Sequence, residues 1–133
     1  MKTYVLDACA LIAYINDEKG ADVVEALLAG KNHVVVSIIN VYEVYYDALR
    51  TSGEEKANSI LEDIEGLPIK IIRNISKKAI LEAAKFKVNY SISLADSIVL
   101  GLAVLLNAFI VTSDHHEFDV IEEKDSLNFH WIR

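Results

Sequence analysis

The chain has little that bends or crosslinks a backbone: one proline, five glycines and one cysteine in 133 residues. With so few turn formers and no low-complexity tract, nothing marks a linker, a domain boundary or a repeat of solenoid period. Residues 1–133 are therefore expected to form a single domain, with 53% hydrophobic residues as material for its core. Cys9 has no second cysteine to pair with, which excludes an internal disulfide and fits a reducing compartment. The first residues carry neither the basic flank nor the cleavage pattern of a secretory signal, so a cytoplasmic protein is expected. Long apolar runs are missing too. The longest, Leu94 to Leu106, falls short of the roughly 18 residues of a membrane span and is interrupted by Asp96 and Ser97, so it reads as a buried helix, with no membrane as partner. Positive charge is also short. A net charge of −7 argues against a protein that grips nucleic acid with its whole surface and restricts any such contact to a local patch.

What is present is an alternation of short β-branched runs with helical periodicity. Thr3 to Leu6 reads as a strand, and from Ala8 to Asn16 the apolar residues Leu11, Ile12 and Ile15 shift to helix spacing. A second helix follows Gly20 and stops at Gly30. His33 to Val36 is the next strand, and Ser37 is placed to cap a helix running to about Leu49. Gly53 ends that helix, and another spans Glu54 to Ile64. Gly66 and Pro68 lead into a short strand, Ile69 to Ile72. Ser76 could cap a helix through Phe86, and Ser93 the apolar helix. Ala108 to Thr112 and Asn128 to Ile132 complete the strands. Strands alternating with such helices pair in parallel through right-handed crossovers. The expected fold is α/β: a three-layer α/β/α sandwich with a central, mainly parallel sheet of four to five strands.

In such a sheet the working site lies beyond the carboxyl ends of the strands. Asp7 ends the first strand, Asp114 follows the Ala108 strand, and Ser37 ends the second strand with Glu43 in the helix beyond it. Asp96 lies in the first turn of its helix. Taken singly, Asp7 and Asp114 read as helix caps, the latter in a capping box with Glu117, and Asp96 reads equally as a cap residue or a site acid. Glu43 and Asp96 differ in being flanked by apolar residues, with no lysine or arginine nearby in sequence. A buried acid needs a partner. A shared cation is the simplest one, and carboxylates without a cysteine or a required histidine suit Mg²⁺ or Mn²⁺ rather than Zn²⁺. Such ions act on phosphate groups, polarising a phosphoryl oxygen and activating water.

VLDACALIAY, SIINVYEV, SLADSIVLGLA and VTSDHHEFD, in this order over essentially the whole chain, resemble the motifs of the PIN domain, in particular those of small toxin ribonucleases of the VapC type. The resemblance implies a Mg²⁺- or Mn²⁺-dependent endoribonuclease with an RNA substrate. By motif position, Asp7, Glu43, Asp96 and Asp114 become the catalytic acids. Asp7 and Asp96 are then the expected direct metal ligands, with Glu43 and Asp114 acting through water or placing the nucleophile. Thr112 and Ser113 match hydroxyl residues that hydrogen-bond the first aspartate, and Ser37 supports the same rim. A further acid is expected just after the last motif. Glu117 and Asp119 both qualify, and Asp119 is preferred. The resemblance also implies a homodimer and a cognate antitoxin bound in a groove between early helices.

Other features read more plainly. His115 and His116 are adjacent, so they diverge on a helix and do not suit one zinc ion, although one of them could meet an RNA phosphate. Lys85 and Lys87 precede the apolar helix and are further candidates for RNA contact, against the ordinary reading as a solvated face. Tyr42, Tyr45 and Tyr46 form a stripe that suits packing, in the core or at a protein interface, better than base stacking. A phosphoryl-transfer receiver domain is disfavoured because the Ile69 strand ends in Ile72, Arg73 and Asn74 rather than an acceptor aspartate. A PIN domain that only binds RNA or protein, without cutting, is the alternative; the intact set of four acids counts against it.

Overall fold

The computed structural model describes all residues, Met1–Arg133. The elements in order are β1 (Thr3–Leu6), α1 (Ala8–Ile15), α2 (Ala21–Ala29), β2 (His33–Ser37), α3 (Ile38–Ser52) and α4 (Glu54–Glu65). They continue with β3 (Lys70–Ile72), α5 (Lys77–Asn89), α6 (Leu94–Leu106), β4 (Phe109–Thr112), α7 (His115–Lys124) and β5 (Phe129–Trp131). The strands form one five-stranded sheet in the order β3-β2-β1-β4-β5, and every pairing is parallel. The expected three-layer α/β/α architecture is therefore present, with the sheet at the upper end of the expected strand number.

The central strands β1, β2 and β4 carry apolar runs, Tyr4–Leu6, Val34–Val36 and Phe109–Val111, because both faces of the sheet are covered there. Tyr4, Leu6, Val34, Val36 and Val111 point to one side, where they pack with residues of α1 to α4. Val5, Val35 and Ile110 point to the other, against α5, α6 and α7. Serine side chains cap three of the helices: Ser37 accepts from Ile39 N–H, Ser76 from Ala79 N–H and Ser93 from Asp96 N–H. The α5 and α6 helices lie so close that a Cβ at Gly101 would stand 2.5 Å from the Ala79 carbonyl oxygen. Glycine is required there. No helix is long and apolar enough to cross a membrane.

The helix ends run a few residues past their expected stops, α3 to Ser52 and α5 to Asn89. Gly53, with φ of +87°, terminates α3, so the breaker was legible even though the last turn was not.

Candidate metal centre

Parallel register puts the first functional residues level with one another. Leu6 pairs with both Val36 and Val111, so the next residues, Asp7, Ser37 and Thr112, share the carboxyl edge of the sheet. Because α6 ends where β4 begins, at the opposite edge, its first turn and Asp96 return to this rim. Asp7 is only 1% exposed. Its Oδ1 accepts from Ala10 N–H at 2.8 Å, capping α1, and its Oδ2 accepts from the Thr112 hydroxyl at 2.5 Å. The Thr112 oxygen in turn accepts from Asp114 N–H at 2.9 Å. One hydroxyl thus joins the two acids. Ser113, the next residue, makes no such bond: successive positions at a strand end point to opposite sides, so only Thr112 can face Asp7.

Asp114 caps α7, accepting from Glu117 N–H at 3.1 Å. In a full capping box the Glu117 side chain would return to Asp114 N–H, but Thr112 already occupies that donor. Glu117 is left to face the rim. Asp96, Asp114 and Glu117 each offer a carboxylate oxygen, and these atoms all lie within 4.8 Å of one another. Opposite oxygens around Mg²⁺ stand about 4.2 Å apart, so the trio is the size of one small hard cation's ligand set. This grouping differs from the expected pairing of Asp7 with Asp96, since Asp7 stands beside the trio with both oxygens engaged.

Electrostatics point the same way. Burial pushes the Asp7 carboxyl up to about 7 from an ordinary 3.8; the Thr112 and Ala10 hydrogen bonds oppose this, and the charges of Asp114 and Glu43 add to it. Asp96 is likewise pushed up to about 7, first by burial and then by Asp7, Asp114, Glu117 and Glu43. Burial raises Glu43 as well, against a hydrogen bond from Asn40. The Cys9 thiol, which the sequence reading considered only as an unpaired cysteine, lies in the same field and is pushed up to about 12 by burial and the four acids Asp7, Asp114, Asp96 and Glu43. None of the four ion pairs in the chain includes a rim acid. An all-oxygen cluster of mutually repelling acids with no protein cation fits a divalent metal.

The remaining expected residues lie elsewhere. Asp119, preferred over Glu117 from sequence, is exposed on the outer side of α7, where its Oδ1 accepts from His115 Nδ1 at 2.8 Å. His115 Nε2 lies 2.9 Å from the Arg133 carbonyl, which like Asp119 can only accept, so both bonds form together only in the imidazolium; the ring also stacks on Trp131 with centroids 3.9 Å apart. Its pKa is raised, first by the Arg133 carbonyl and then by Asp119. Both ring nitrogens are committed to structure. His116 is exposed and makes no hydrogen bond. Lys87 donates to the Ile92 carbonyl at 2.6 Å, and Lys85 pairs with Glu82 beside Val104 and Leu105, at the end of α6 remote from Asp96. Tyr42 and Tyr46 stack on each other, 65% and 54% exposed, whereas Tyr45 is half-buried and packs against the core, so the tyrosine stripe is split between core and surface. Ile38, Val41, Tyr42, Tyr45 and Leu61 line an apolar groove of about 350 Å³. Sequence reasoning missed Asn40, a fully buried amide one helical turn before Glu43 and bonded to it; a lone polar residue among Ile38, Ile39 and Val41 was the available signal.

The family model for the PIN domain matches residues 4–124. The chain belongs to the PIN domain family. No match is found among curated proteins. Among solved structures, this PIN domain is similar to VapBC2 from Rickettsia felis bound to a DNA fragment from their promoter, with TM-score 0.77 and 20% identity over 97% of this chain and 98% of that one. It is similar to VapC20 from Mycobacterium tuberculosis, described as a sarcin-ricin loop cleaving toxin, with TM-score 0.70 and 13% identity over 88% and 94% of the two chains. It also resembles VapBC-5 from the same organism, a member of the VapBC family of toxin-antitoxin systems, with TM-score 0.65 and 15% identity over 100% and 99%. At these identities the likeness is one of fold, and the fold is that of VapC-like toxins.

Proposed function

We propose that this PIN domain is a Mg²⁺- or Mn²⁺-dependent endoribonuclease that hydrolyses RNA phosphodiester bonds, and the toxin of a type II toxin-antitoxin pair. The observation that carries the reading is the gathering of Asp7, Glu43, Asp96, Asp114 and Glu117 at one rim with no cationic side chain among them. Asp96, Asp114 and Glu117 would hold the cation, with Asp7 and Glu43 flanking it. When bound, the ion polarises a phosphoryl oxygen and makes a water more acidic. Asp7, fixed by Ala10 and Thr112, holds its carboxyl in place at the rim. Glu43, with Oε1 held by Asn40, presents Oε2 to take a proton from the attacking water. His116, exposed and two residues after Asp114, would meet an RNA phosphate. VapC20 and the VapBC systems support the reading through a shared fold.

The partner reading rests on the apolar groove between α3 and α4, which suits an amphipathic segment of an antitoxin. A homodimer is part of the same proposal and is tested by light scattering of the purified protein. The enzymatic reading is tested by incubating a mixed RNA pool with Mg²⁺, Mn²⁺ or EDTA, beside Asp7→Asn purified identically. Metal-dependent cutting absent from the variant supports it. Metal binding without cutting, across several RNA classes, favours a PIN module that binds RNA or protein only.

A further inference from the structure

Five polar residues are buried: Asp7, Ser37, Asn40, Ser97 and Thr112. Four have duties that the fold itself explains. Asp7 and Ser37 cap helices, Ser97 donates to the Leu94 carbonyl, and Thr112 bridges Asp7 to Asp114. Asn40 differs. It is 0% exposed, its Nδ2 donates to Glu43 Oε1 at 2.9 Å, and its Oδ1 meets no donor. A buried carbonyl without a donor destabilises a protein, and leucine of similar shape would avoid the cost. Nothing in α3 asks for an amide at this position, since Ser37 already caps the helix and the neighbours are Ile38, Ile39 and Val41. Turning the amide round gives no relief, because Oδ1 would then face a carboxylate that can only accept. The single arrangement that serves Glu43 strands the Asn40 carbonyl. Glu43 has no other hydrogen bond, so its orientation depends on this one residue.

We propose that Asn40 is a positioning residue that fixes the Glu43 carboxylate at the rim, with Oε1 held and Oε2 turned to the metal site. The inference rests on the reading of Glu43 as an acid of that site. Groups that orient metal-site acids through a hydrogen bond commonly set affinity by about 10- to 100-fold. The experiment is a double-mutant cycle read by calorimetric Mn²⁺ titration of metal-free protein, comparing wild type, Asn40→Leu, Glu43→Ala and the double variant. Asn40→Leu should weaken Mn²⁺ binding about tenfold without lowering Tm. Glu43→Ala should weaken it at least as much, and the double variant should bind like Glu43→Ala. Unchanged affinity in Asn40→Leu beside a weakened Glu43→Ala overturns the positioning role and leaves the metal site standing. Unchanged affinity in both overturns the reading of Glu43 itself. Additive losses in the double variant also overturn the proposal, because Asn40 would then act by a route other than Glu43. If Asn40→Leu does not fold, Asn40→Ser, too short to reach Glu43, replaces it in the same cycle.

Discussion

Glu117 and Asp119 stand two residues apart on α7 and end in opposite surroundings. The inner side of the helix start, Asp114 with Glu117, joins Asp96 in a cluster of acids with no counter-charge. The outer side, His115 with Asp119, forms an acid-imidazole pair closed by the Trp131 ring and the Arg133 carbonyl. One side has its electrostatics satisfied by the protein, and the other is satisfied only by something brought from outside. The difference separates an acid that serves the fold from one available to chemistry, and residue type alone does not reveal it.

Asp7→Asn should reduce metal-dependent RNA cleavage on the order of 10³-fold while preserving the Ala10 cap, since the amide oxygen can still accept. Full activity in that variant would remove Asp7 from the chemistry. Next in size is a pH effect. Asp7 and Asp96 have folded pKa values near 7 against an ordinary 3.8, so between about pH 4 and 7 the folded chain binds more protons than the unfolded one. Metal-free stability therefore falls as pH rises through that window. Melts of EDTA-treated protein from pH 5 to 8 should show this fall, and Mn²⁺ at pH 8 should reverse it. A Tm that does not decline toward pH 8 would mean the rim acids are not strained.

A finer test contrasts the two sides of α7 directly. Glu117→Gln should weaken Mn²⁺ binding about tenfold, whereas Asp119→Asn should leave it unchanged in the same calorimeter. Equal losses would erase the distinction between the two sides. The smallest effect belongs to His115→Ala, which removes the Trp131 stack and the bond to Arg133. It should lower Tm slightly and leave Mn²⁺ affinity intact; a loss of affinity would place His115 in the site after all.

Much of this molecule was legible in sequence because local chemistry decided it. Ser37, Ser76 and Ser93 announced helix starts through the capping bonds they make, and apolar β-branched runs announced strands covered on both faces. The order of acids at strand ends then placed the rim. What stayed hidden needed three dimensions. The rotation of α7, set by burying Phe118 and Ile121, turns Glu117 inward and Asp119 outward, and residues two apart on a helix cannot be sorted without that rotation. Lys85 is close to Asp96 along the chain but not in space, because the close packing of α5 on α6 carries it away. Asn40 declared itself only when its second amide atom was found without a partner.

The bond from Thr112 to Asp7 spans 105 residues and ties the two ends of the site together. A ribosome releasing this chain exposes Asp7 and Glu43 early, yet nothing it has made by then can complete the constellation, because β4 must first slide in beside β1. The rim is therefore completed only after β4 has been made, 105 residues downstream of Asp7, and any nascent chain short of that point holds its early acids without the partner that fixes them.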